Sequence, residues 1–197
     1  MELVLASRNK GKIAEYRALV AHTDHTLMGL DEAGVHPAFE PPECARTFEG
    51  NALIKALIYG ERASRAVLAE DSGLCIEALG GRPGVLSARY CDGTDEDRVV
   101  RVLEEMRDVP AEKRAAYFTA TLVWYDPTSA DIEITEGEWR GTIAQEARGK
   151  HGFGYDPIFI DAVSGKTGGE LTQDEKNRVS HRAQAVERMI SLLKSRG

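Results

Sequence analysis

Leu3-Val4-Leu5-Ala6-Ser7-Arg8-Asn9-Lys10-Gly11-Lys12 is the stretch whose reading decides the fold. Four apolar residues make a short buried strand. A polar loop follows, with three cations and one glycine. Ile13, Tyr16, Leu19 and Val20 then recur at helical spacing. A strand feeding a helix through a short loop is the elementary unit of an α/β protein. Backbone N–H groups at such a helix start, with lysines beside them, are suited to holding phosphate. The loop is not a Walker P-loop, which needs Gly-x-x-x-x-Gly-Lys-Ser/Thr. By itself it reads equally well as an ordinary solvated connection.

Outward from this unit the pattern stays mixed. Residues 21–46 carry Pro37, Pro41 and Pro42 and little periodicity, which predicts irregular chain with one short strand. Thr47 reads as an N-cap, and Phe48, Ala52, Ala56, Tyr59 and Ala63 predict a helix to about Ser64. Val67-Leu68-Ala69 is a short strand interrupted by Glu70-Asp71-Ser72-Gly73, with apolar character resuming at Leu74-Cys75-Ile76. Thr94-x-x-Asp97 resembles a capping box ahead of a helix through Val99, Val100, Leu103 and Met106. Residues 115–125 and 132–144 are β-rich and predict a long antiparallel hairpin. A glycine-rich loop at 145–157 leads into a strand at 158–160. Thr172-x-x-Glu175 caps a short helix, and Ser180 precedes a last one with Ala183, Val186, Ile190 and Leu193 on its apolar face. Neither an internal repeat nor a linker divides the chain, so residues 1–197 are expected to form a single mixed α/β domain.

Bulk properties narrow the partners. The 197 residues are 42% hydrophobic and 29% charged, ordinary for a globular protein long enough to bury a core. A net charge of −7 disfavours binding to nucleic acid polymers, but a local cation cluster suffices for a small anion. Cys44, Cys75 and Cys91 are odd in number and widely spaced, which suggests neither a disulfide frame nor a zinc site. With no apolar signal core and no run approaching the ~18 apolar residues of a membrane span, the chain is expected to be cytoplasmic, without a membrane partner.

Four segments carry chemistry outside regular elements. The first is Ser7 to Lys12. The second is Glu43, ahead of the helix carrying Lys55. The third is Glu70-Asp71-Ser72-Gly73. If the strand continues through the two acids they face opposite ways, so Asp71 is placed in the site and Glu70 behind it. Carboxylates beside a polyphosphate site commonly hold Mg²⁺. The fourth is Gly152-Phe153-Gly154-Tyr155-Asp156-Pro157, followed by Lys176 and Ser180-His181-Arg182. Aromatic faces near bare backbone suit a stacked base, although two core aromatics in a tight turn explain the same residues. His181 and Arg182 offer donors to an acceptor such as a keto oxygen.

Together these stretches resemble the inosine triphosphate pyrophosphatase family. The matching segments are LASRNKGK (5–12), TFEGNALIKA (47–56), EDSGL (70–74), ALGGRPGVLSARY (78–90), GFGYDPIF (152–159) and ELTQDEKNRVSHRAQA (170–185), in family order and over nearly the whole chain. The resemblance implies an elongated, two-lobed α/β fold around a long mixed sheet flanked by helices, with an active cleft between the lobes, and a homodimer. It implies Mg²⁺-dependent hydrolysis of ITP, dITP and XTP to the monophosphate and pyrophosphate. It places Ser7, Arg8, Asn9, Lys10, Gly11, Lys12 and Lys55 on the phosphates and Glu43 and Asp71 on Mg²⁺, with Asp71 also the candidate base. Ser72, Phe153, Gly154, Tyr155, Asp156, Lys176, His181 and Arg182 fall on the nucleotide, the last two near the base. Arg89 is a looser candidate for the phosphates. Glu70 stands where many bacterial members have aspartate, and Gly50 where a glutamate is common. The competing readings are a Maf-like pyrophosphatase for modified pyrimidine nucleotides and a non-catalytic nucleotide-binding regulator.

Overall fold

The computed structural model describes residues 1–195. Six strands form one sheet in the order β2-β1-β3-β4-β5-β6: β1 (Glu2–Ala6), β2 (Thr26–Gly29), β3 (Val67–Ile76), β4 (Ala115–Asp126), β5 (Asp131–Ile143) and β6 (Phe159–Asp161). β1 runs parallel to β2 and β3, and β5 runs antiparallel to β6, so the sheet is mixed as expected. The helices are α1 (Lys10–Val20), α2 (Phe48–Ala63), α3 (Asp95–Glu105), α4 (Gln173–Val179) and α5 (His181–Lys194). Both capping boxes form, Thr94 with Asp97 and Thr172 with Glu175. Among the described residues no helix is long and apolar enough to cross a membrane.

The chain folds as two compact units. One comprises Met1–Asp71, Ala120–Gly137 and the chain from Arg182 on; the other comprises Ser72–Thr119 and Glu138–His181. In the first, strand alternation sorts side chains onto two faces. Leu3, Leu5, Leu68, Leu122 and Trp124 meet Tyr16 and Val20 of α1 and Val186, Met189 and Leu193 of α5. The intervening Val4, Ala6, Val67, Ala69, Val123 and Tyr125 meet Ala52, Ala56 and Tyr59 of α2. With both faces covered, the strands read as unbroken apolar runs.

In the second unit Leu74, Ile76, Phe118, Trp139 and Phe159 pack against Val99, Val102 and Met106 of α3. Buried Arg114 closes the end of that helix. Its guanidinium donates to the carbonyls of Met106 (2.6 Å), Val109 (3.1 Å), Ile143 (2.7 Å) and Ala144 (2.7 Å). Met106 is the C-cap of that helix, and its carbonyl also accepts the Val109 N–H at 3.1 Å. Ile143 and Ala144 lie directly before the 145–157 loop, so one side chain fixes where that loop begins.

Two sequence expectations are corrected. β3 is not interrupted at Glu70-Asp71; it continues to Ile76. Charged residues inside a buried strand are tolerated because each acid faces cations on its own side, as described below. On α5 the core takes Ala185 and Met189 with Val186 and Leu193, while Ala183 is only half-buried.

Candidate functional site

In the first unit, Asn9 caps α1 by accepting the Lys12 backbone N–H at 3.0 Å, and Ser7 Oγ accepts the Asn9 N–H at 3.2 Å. The loop is thus folded by its own polar side chains, as N-capping asparagine and serine do. Lys10 is exposed on the first turn, and Gly11 is half-buried behind it. Arg8 turns elsewhere: it pairs with Asp31 at 2.6 Å and donates to the His36 carbonyl at 3.0 Å. The Asp31 hydrogen bond is the main cause of its raised pKa. Its guanidinium is therefore engaged by the 31–36 loop.

β3 delivers Glu70 and Asp71 to opposite sides. Asp71 Oδ1 accepts from Lys55 Nζ at 3.1 Å, and Glu43 Oε1 accepts from the same nitrogen at 3.0 Å. Two carboxylates from separate segments thus converge on one ammonium. Burial pushes the Asp71 carboxyl above its ordinary range, against the pull of Lys55 and Lys12. Burial works to lower Lys55, but Asp71 and Glu43 outweigh it and its pKa rises. Asp71 Oδ2 is held by Asn51 Nδ2 at 3.1 Å.

On its other side, Glu70 meets Lys12 Nζ at 3.5 Å and Arg182 Nε at 3.2 Å. Arg182 also pairs with Glu15 at 2.9 Å. Glu15, Glu70 and Arg182 are all buried. Burial lowers the Lys12 pKa, and Glu70 opposes that loss of charge. Burial and then the Glu70 charge push the Tyr16 hydroxyl far up, so it stays protonated beside this network.

The second unit holds the other expected residues. The Phe153 N–H donates to Asp156 Oδ2 at 2.8 Å, and Lys176 Nζ meets the same oxygen at 2.5 Å, both side chains being 3% exposed. Lys176 Nζ also lies 5.1 Å from the centre of the Phe153 ring, within cation–π range. Gly152 has φ +73°, and a Cβ there would overlap Asp156 Oδ2, so glycine is required twice over. The Gly154 N–H donates to Asp95 at 2.9 Å. Phe153 and Gly154 line a cavity of about 640 Å³ with Asp95, Val99, His151 and Pro157. Tyr155 is a core residue whose hydroxyl donates to the Ser87 carbonyl at 2.8 Å, with its pKa pushed up mainly by burial. Ser72 is half-buried on β3. The His181 ring is buried and stacks on Phe118, with centroids 5.0 Å apart and an interplanar angle of 9°.

Asn51, Glu15 and the cation contacts of Glu70 went unread in the sequence. Asn51 and Lys55 stand four apart on the face of α2 that buries Ala52, Ala56 and Tyr59. Two polar residues at that spacing on an apolar face are the signal that could have found Asn51.

Metal chemistry can be judged from the donors. Among the described residues no group of three or more His, Cys, Asp or Glu forms a ready cage. Glu43 and Asp71 offer oxygen donors at a point already occupied by a cation. That set suits a hard ion that takes one or two carboxylates and fills its shell with phosphate and water.

The chain is 44% identical over 191 residues to the dITP/XTP pyrophosphatase of Symbiobacterium thermophilum, covering 97% of this chain and 94% of that protein. It is 40% identical over 196 residues to the dITP/XTP pyrophosphatase of Bacillus subtilis, covering 98% of each. Among solved structures, the Staphylococcus aureus Ham1 protein superposes with a TM-score of 0.87 at 32% identity over the full length of both chains. A HAM1 protein from Coxiella burnetii gives 0.87 at 39% identity over 99% of each. The Ham1 family model matches residues 3–192, and the chain belongs to the Ham1 family.

Proposed function

We propose that the chain hydrolyses non-standard purine nucleoside triphosphates, ITP, dITP and XTP, between the α- and β-phosphates, releasing the monophosphate and pyrophosphate and so keeping these nucleotides out of DNA and RNA. The convergence of Glu43 and Asp71 on Lys55, in the same unit as the Asn9-capped start of α1, carries this reading. Such an arrangement would suit a divalent ion beside donors for phosphate oxygens. The relatives named above favour neither the pyrimidine-directed nor the non-catalytic alternative.

Glu43 and Asp71 would hold Mg²⁺, which supplies charge neutralisation on the phosphate oxygens when bound. Lys12, Lys55 and the N–H groups at the start of α1 stabilise the departing pyrophosphate. Asp71 orients the attacking water on the α-phosphorus. As a metal ligand it is a weak base, so orientation is its larger contribution, as phosphoryl transfer generally requires. In the second unit, the Phe153 ring offers a face for the purine. His181 and the loop N–H groups would be donors for its 6-keto oxygen, with Lys176 holding the loop through Asp156. Adenine presents an amino donor there instead, and each buried group left unpaired costs about 1–3 kcal/mol.

The α2 residues Leu53, Ile54, Leu57 and Ile58 are only half-buried, and Phe39 lies beside the last two. An aliphatic face of this kind supports homodimerisation, which light scattering reads directly. A reducing cytoplasm, where nucleotide pools reside, fits three free cysteines. The function is tested by Asp71→Asn and Glu43→Gln assayed on ITP with Mg²⁺. Turnover should fall by at least about 100-fold in Asp71→Asn. Near-wild-type turnover in a folded Asp71→Asn protein would remove this centre from the reaction.

A further inference from the structure

We infer that Asn51 is a positioning residue that sets both acids of the metal centre with one side chain, an inference that rests on the function just proposed. Asn51 is fully buried, at 0% exposure. Its two amide ends do different work. Nδ2 donates to Asp71 Oδ2 at 3.1 Å, and Oδ1 accepts the Ala45 backbone N–H at 3.0 Å. The first bond acts on β3 and the second on the irregular chain two residues after Glu43.

The two acids differ in how firmly their backbones are held. Asp71 lies within the ladder of a ten-residue strand. Glu43 lies in residues 37–46, which form no helix or strand and carry three prolines, so few backbone bonds fix that stretch. Its register against α2 depends on individual anchors: the Lys55 ammonium holds the Glu43 side chain, and the Ala45–Asn51 bond holds the backbone two residues on. Gly50 supports the same approach: a Cβ at position 50 would lie 2.7 Å from the Ala45 Cβ, closer than packed carbons allow. Glycine here lets Ala45 settle onto the first turn of α2, where the Asn51 amide meets it.

The chemistry of the residue also matters. Asp71 Oδ1 is taken by Lys55 and Oδ2 by Asn51, which fixes the plane of the carboxylate. Only an amide of this length gives a donor on one side and an acceptor on the other. Aspartate would set a like charge against Asp71, and glutamine would carry its amide one methylene beyond both partners at a fully buried position. Partners that orient metal ligands in this way commonly change metal affinity or activity by about 10–100-fold when removed.

The test uses Asn51→Ala, which removes both bonds, and Ala45→Pro, which removes only the N–H on the Glu43 side. Mg²⁺ is titrated with inorganic pyrophosphate present, following the rise in melting temperature, and activity on ITP is measured in parallel. For Asn51→Ala the Mg²⁺ midpoint should rise about tenfold and kcat fall about 10–100-fold, with the nucleotide KM within about threefold. Ala45→Pro should show a smaller rise in the Mg²⁺ midpoint. Folded variants with midpoints and kcat at wild-type values would overturn the inference. So would failure of both to fold, because Asn51 would then serve the fold and not the centre; if one alone folds, it decides. Asp71→Asn separates this inference from the function it rests on. Loss of the Mg²⁺ response there, with a wild-type response in Asn51→Ala, refutes only the positioning role. An unchanged response in Asp71→Asn refutes both.

Discussion

Lys176→Met puts the second unit's buried ion pair to a quantitative test. The ammonium and the Asp156 carboxylate meet at 2.5 Å, and each side chain is 3% exposed. Methionine preserves the bulk of the stem but removes the charge. Asp156 keeps its hydrogen bond from the Phe153 N–H but loses its ammonium in a place that water does not reach. Removing one member of such a pair costs about 3–5 kcal/mol, because desolvation of the remaining charge is no longer offset. For a domain of this size that corresponds to a fall in Tm of roughly 6–20 °C. The pairing, and not either charge alone, is responsible on this account. The double variant Asp156→Asn/Lys176→Met should therefore be no less stable than either single variant, and the cycle should show a coupling of at least about 3 kcal/mol. Calorimetry on the four proteins measures it. A Tm within about 2 °C of wild type for Lys176→Met, or a double variant as unstable as the sum of the singles, would refute the reasoning.

Three further outcomes follow from the same geometry. Glu70→Gln removes the charge that opposes the burial-driven lowering of the Lys12 pKa. Lys12 then loses its proton at a lower pH, so the alkaline limb of the kcat/KM profile should move towards neutrality. An unmoved limb would separate Glu70 from Lys12. Gly152→Ala forces a positive-φ position to carry a Cβ against Asp156; it should cost about 2–4 kcal/mol of stability and most of the activity, read by thermal melts and ITP turnover. Arg8→Ala should lower Tm by only a few degrees, since its partner Asp31 is exposed, and leave kcat within about threefold; a large loss of kcat would place Arg8 on the substrate.

Much of this was legible in the sequence because local signals agreed. The βα unit at residues 3–20, the Thr47 cap and the two capping boxes each rest on contacts within a few residues, and all appear where expected. What was missed depends on distant partners. Glu70 and Asp71 look like a break in a strand until Arg182, more than a hundred residues on, and Lys55 are seen beside them. Arg8 reads as a phosphate ligand in a basic loop, yet Asp31 and the His36 carbonyl claim it, and nothing in residues 21–46 signals that return. For Tyr155 the sequence left open a ligand face and a core aromatic in a tight turn; the ring is in the core, with its hydroxyl on the Ser87 carbonyl.

The most direct measurement incubates purified protein and Mg²⁺ with ITP, XTP, GTP and ATP separately and assays pyrophosphate and orthophosphate independently. Pyrophosphate is expected from ITP and XTP, little from ATP, which lacks the 6-keto oxygen, little from GTP, whose 2-amino donor would be left unpaired, and no orthophosphate. Orthophosphate from ITP would move the attack to the γ-phosphorus, and equal pyrophosphate from ATP would remove the base selection; either result would contradict the account.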